Sequence, residues 1–99
     1  MAKVFIIQDT GHINFVPAEK FGDLEVLIFG PRSHLALARE VPNFYRKLRD
    51  ITRDDWIVTV GHPFFIAAVS AIQVQLTGHV RMLHWDRATE SYIKVEAKI

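Results

Sequence analysis

The sequence predicts one small α/β domain over residues 1–99: a mixed sheet of about five strands, parallel and antiparallel, covered by two helices. Three observations predict it. Apolar runs of strand length, such as Val4-Phe5-Ile6-Ile7 and 24–29, stop at Gly, Asp or Pro. Two later segments carry helical spacing instead. The stretch from Trp56 to Trp85 then reads strand, turn, helix, strand, a β-α-β unit that closes right-handed with parallel strands.

In chain order, Val4–Ile7 is a buried strand ended by Asp9-Thr10-Gly11, and residues 12–23, with Pro17 and Gly22, read as irregular. Leu24–Phe29 is a second strand, followed by Gly30-Pro31-Arg32-Ser33. Residues 34–38 fit a short returning strand or one helical turn equally. Pro42 suits the first position of a helix, where its missing N–H costs nothing, and Phe44, Tyr45, Leu48 and Ile51 follow at helical spacing over 42–51. Trp56–Val60 is apolar on both faces apart from Thr59, as a central parallel strand is. Gly61-His62-Pro63 opens a second helix running to Thr77, whose narrow polar stripe is Ser70, Gln73 and Thr77. Val80–Trp85 and Tyr92–Ala97 form a hairpin across Arg87-Ala88-Thr89-Glu90.

Composition narrows the functions. A chain of 99 residues buries only about two thirds of its unfolded surface. Yet 49% of this one is hydrophobic, which predicts apolar surface covered by another copy or another protein. The absence of cysteine excludes disulfides and thiolate zinc sites and fits a reducing, cytoplasmic setting. The run Val4–Ile7, followed by Asp9, is too short for a signal peptide. Residues 56–80 lack charge, but Gly61-His62-Pro63 interrupts them and Gln73 and Gln75 follow, so they read as strand, turn and helix rather than a membrane span. Net charge is +1, with six basic residues against Glu40 and Asp50 between positions 32 and 53.

Several constellations bear on chemistry. Asp9-Thr10-Gly11 resembles the signature of retroviral-type aspartic proteases, but Gln8 precedes it, His12 follows it and no flap hairpin is visible; it reads as a turn. The five histidines (His12, His34, His62, His79, His84) are too scattered for a metal site, no Ser-His-Asp arrangement is suggested by spacing, and neither a catalytic residue nor a cofactor is expected. The best ligand-binding candidate is the pair of loops after the strands at 24–29 and 56–60. Arg32, Ser33, His34, Gly61 and His62 lie there, beside the N–H groups of a helix start, and suit a phosphate or carboxylate. Arg46, Lys47, Arg49 and Arg53 form a basic patch on and after the helix 42–51, of the kind that contacts nucleic acid phosphates.

Taken together, Leu48-Arg49-Asp50, Asp54-Asp55-Trp56-Ile57-Val58, Gly61-His62-Pro63, Ala67-Ala68, Gly78-His79-Val80, Leu83-His84-Trp85-Asp86-Arg87 and Tyr92 resemble short uncharacterised proteins of tailed bacteriophages, over about half the chain. His62 stands where those proteins have an acidic residue. The resemblance implies a phage accessory protein in an infected cell and transfers no catalytic residue. The shared elements read as scaffold: Asp54 and Asp55 before a strand, Trp85 on a sheet face, and an Asp86–Arg87 pair tying the hairpin.

The expectation is a non-enzymatic protein acting through protein–protein interaction, with itself as a homo-oligomer or with a host protein. Binding of a small ligand or phosphate, and of nucleic acid, are the alternatives.

Overall fold

The computed structural model describes residues 2–99, with all their side chains except that of His34. Strands β1 (Lys3–Asp9), β2 (Asp23–Phe29), β3 (Trp56–Val58), β4 (His79–Asp86) and β5 (Ser91–Lys98) form one sheet in the order β2-β1-β3-β4-β5. The first four are parallel to their neighbours, and β5 returns antiparallel along β4. Two α-helices, α1 (Leu37–Leu48) and α2 (Pro63–Thr77), and two 3-10 segments, Val16–Phe21 and His34–Ala36, complete the chain. The expected fold class is thus present.

Strand alternation divides the core in two. Phe5, Ile7, Ile57 and Met82 point to one face, where Phe44 and Leu48 of α1 and Phe65, Val69 and Ile72 of α2 cover them. Val4, Ile6, Trp56, Val58 and Leu83 point to the other, where Phe15, Ala18 and Phe21 of the β1–β2 connection pack on them together with Tyr92. That connection is therefore not irregular throughout. Pro17 sits in the first turn of the 3-10 segment, and Ala18 is fully buried.

Helix α1 corrects the sequence reading. It begins at Leu37, so Pro42 lies inside it rather than at its first position. The apolar face explains why: Leu37 packs on the same cluster as Phe44 and Leu48, and burying that extra turn outweighs the hydrogen bond that the proline forfeits. The segment at 34–38 is accordingly helical, a 3-10 turn running into α1. Strand β3 is shorter than expected, ending at Val58, because Val60 N–H turns back to Val58 O (2.8 Å).

Helix α2 has the predicted bounds. Pro63 occupies its first turn, and Gly78, at φ 74°, closes it by giving its N–H to Val74 O. Its polar stripe is satisfied internally. Ser70 Oγ donates to Ile66 O and Thr77 Oγ1 to Gln73 O, both at 2.7 Å. Gln73, 1% exposed, takes Arg81 N–H on Oε1 and gives Nε2–H to Arg81 O, both at 3.2 Å. Among the described residues no helix is long and apolar enough to cross a membrane.

Candidate functional site

Gln8 settles how the two candidate loops lie. It ends the buried part of β1 at 6% exposure. Its Nε2 donates to Gly30 O (3.2 Å), and its Oε1 accepts from His62 N (3.0 Å). The loops after β2 and β3 therefore flank the end of β1 and are clamped together by one amide. Gly61, at φ +129°, lies so close that a Cβ there would stand 2.9 Å from Gln8 Cβ. Sequence reasoning missed Gln8, although a polar residue at the end of the run Val4–Ile7 was a visible signal.

The candidate ligand residues are engaged around this clamp. His62 caps α2, its Nδ1 accepting from Phe64 N (3.3 Å) and its carbonyl accepting from Phe65 N and Ile66 N. Its ring stacks on Phe64 at 5.2 Å. The donors expected to face an anion are thus bonded within the helix start. Ser33 Oγ accepts from Leu35 N (3.1 Å). Arg32 gives an N–H to Pro31 O and lies 3.6 Å from Glu40 on α1. The side chain of His34 lies outside the described residues.

The basic patch divides. Lys47 Nζ donates to Leu27 O (3.0 Å) and Val26 O (3.4 Å), and Asn43 Nδ2 also reaches Leu27 O (3.3 Å). Helix α1 thereby fastens the main chain of β2. Arg46 bonds to Asn43 Oδ1, exposed Arg49 lies 3.6 Å from Asp50, and Arg53 is exposed in the turn before β3. Replacing Lys47 by methionine is expected to lower stability by about 1 kcal/mol, read as a shift in the urea midpoint. A phosphate-contacting lysine would instead leave that midpoint in place.

A groove of ≈ 930 Å³ opens beyond the carboxyl ends of β3 and β4, walled by the connection that follows β1 and by Tyr92 of β5. Strand order reverses between β1 and β3, which is where open α/β sheets admit ligands. Its walls include Phe15, Thr59, His84, Trp85 and Tyr92. Trp85, 38% exposed, meets Tyr92 edge-on at 5.0 Å, and burial pushes the Tyr92 hydroxyl above its usual pKa. Thr59 Oγ1 lies 3.2 Å from His84 Nδ1. The groove shares the predicted end of the sheet but draws on the connection after β1, on β3, β4 and β5, not on the β2 loop. Among the described residues no three His, Asp or Glu side chains gather as metal ligands.

Asp86 corrects a local expectation. Rather than pairing with Arg87, it accepts from Thr89 Oγ1 (2.7 Å) and Ala88 N (3.3 Å), and these bonds hold its pKa below the usual carboxylate range. A lowered folded pKa means the stabilisation is present above the unfolded value and is lost as pH falls through the folded one. The hairpin tip is expected to loosen only in that acid window. An NMR titration checks this through the Ala88 amide, which should move with Asp86 below its usual range and not near neutrality.

The far edge of the sheet differs from the β2 edge. Neither helix covers β5: Ile93 (44% exposed) and Val95 (49%) lie on the helix-side face beyond α2, opposite His84 and Met82 of β4. The other face of β5 carries Tyr92, Lys94 and Glu96, and Glu96 pairs with Arg81, whose guanidinium sits 3.8 Å over the Trp56 ring.

No curated protein and no solved structure matches the chain. The family model described as phage Pam3 gp32-like protein matches residues 2–99, nearly the whole chain, and covers every element above, including the phage-like stretch from Leu48 to Tyr92. The chain belongs to the phage Pam3 gp32-like protein family.

Proposed function

We propose that this phage protein is a non-enzymatic accessory factor that acts in the host cytoplasm by binding protein, and that it binds through β5. One observation carries the reading. The sheet has two edges; α1 engages the main chain of β2 through Asn43 and Lys47, while β5 is left with exposed Ile93 and Val95 on its helix-side face. An open strand with apolar residues on one face is a ready template for an added strand. A photo-crosslinking residue at position 95 should trap a discrete protein adduct in producing cells, and one at exposed Tyr45 should not. Absence of any adduct from positions 93, 95 and 97 would overturn the reading.

The groove favours a second reading, capture of a small planar ligand, because Trp85 leaves part of its ring open beside Tyr92. Nucleotides that bind there should quench tryptophan fluorescence in the parent chain and not in Trp85→Phe. They should also raise Tm, since a ligand preferring the native state stabilises it.

A further inference from the structure

We propose that the occupant of the open edge is β5 of a second copy, paired antiparallel about a two-fold axis at Val95, so that two five-stranded sheets become one. The proposal rests on the interaction reading above and names its partner.

The backbone fixes which residues can pair. Arg81 donates its N–H to Gln73 Oε1 and accepts from Gln73 Nε2 on its carbonyl, so both main-chain groups point away from β5. In an antiparallel ladder, opposed residues exchange both hydrogen bonds or neither. Glu96, opposite Arg81, therefore turns its N–H and C=O to the open edge, and by the two-residue period so do Lys94, Tyr92 and Lys98. The odd positions face β4, as Ile99 N–H does in reaching Gly78 O (2.9 Å). A second β5 must pair even residues with even residues.

Among the registers that pair most of β5 with itself, the side chains favour one. With Val95 opposite Val95 of the other copy, Lys94 falls opposite Glu96, Glu96 opposite Lys94, and Ile93 opposite Ala97. Both ion pairs occur on one face and the apolar residues meet on the other. Sliding by one even step in either direction fails. One slide sets Lys94 against Lys94; the other sets Glu96 against Glu96 and Lys94 against Lys98. Like charges directly opposed destabilise a strand pair, and opposite charges support it. Edge lysines alone commonly deter pairing; Glu96 between Lys94 and Lys98 converts that deterrent into a self-complementary code. The two-fold axis stands normal to the sheet, so both copies present Ile93, Val95 and Ala97 on the helix side, between their α2 helices.

Charge exchange tests the register. Light scattering across a dilution series should give a dimer for the parent chain and monomers for Lys94→Glu and Glu96→Lys alone. Mixing those two variants should restore a one-to-one dimer, because every opposed pair is then complementary. Since Glu96→Lys also loses the Arg81 pair, circular dichroism and Tm establish that it is folded. The chain has no cysteine, so Val95→Cys offers a second readout. A non-hydrogen-bonded antiparallel pair brings the two Cβ atoms within about 5.5 Å, and oxidation should join the copies, while Ile93→Cys should not cross-link. A monomeric parent chain, or variants that fail to restore a dimer on mixing, would overturn the proposal. If position 95 then still traps a host protein, the interaction reading stands; if it traps nothing, both fall.

Discussion

Truncating Phe65 to alanine is expected to remove about 3–5 kcal/mol, a large share of the roughly 5–15 kcal/mol that a domain of this size possesses. Phe65 is fully buried and meets Phe44 edge-to-face at 6.0 Å, so one ring joins α2 to α1 and both to the sheet. It also lies 5.9 Å from the His62 ring, which caps the same helix. Loss of the ring leaves a cavity that neighbouring Val69 and Ile72 cannot fill, because their own backbones are fixed against β1 and β4. Phe65→Leu keeps most of the volume and is expected to cost under half as much. Urea unfolding followed by circular dichroism checks both. A drop below about 1 kcal/mol for alanine would mean that the two helices do not share this core.

What was legible in the sequence was what local chemistry decides. Helix α2 was readable end to end because Pro63 and Gly78 punctuate it and the residues between have one narrow polar stripe. The hairpin of β4 and β5 was readable because 87–90 separate two alternating runs. Helix α1 was half readable. Pro42 is a fair start signal, and only packing of Leu37 in three dimensions shows that the helix begins earlier. Strand order was not readable, because it is set by which surfaces stack after the chain has crossed over. Everything that depends on order was hidden with it. The Gln8 clamp joins Gly30 to His62 through main-chain atoms that carry no sequence signature. The open edge at β5 exists only because β5 comes last in the sheet. Lys47 looked like one of four equivalent surface cations, and its bonds to Val26 O and Leu27 O follow from where β2 lies.

The second large effect is expected at Asp55, which the sequence places just before a strand. The residue is 5% exposed, and its carboxylate accepts from Lys3 N (2.8 Å), Thr52 N (2.7 Å) and Thr52 Oγ1 (3.3 Å). One side chain therefore ties the beginning of β1 to the turn that launches β3, its neighbour in the sheet. Asp55→Ala would leave two partly buried N–H groups unpaired, and hydrogen bonds to a charged acceptor are worth about 1.5–3 kcal/mol each before relaxation. Water can reach part of the site, so a net loss of about 2–4 kcal/mol is expected. Asp55→Asn discriminates between shape and charge: its amide oxygen can keep one acceptor bond, but its NH2 group then faces a second N–H donor. It should recover about half the loss. Full recovery in asparagine would show that the charge contributes nothing, while equal loss in both would show that the pair of acceptor oxygens acts as one unit. Because Val4, Phe5 and Ile6 register with Trp56, Ile57 and Val58 just beyond this strap, amide exchange should quicken first in those residues. Faster exchange confined to β5 would instead place the weak point at the open edge.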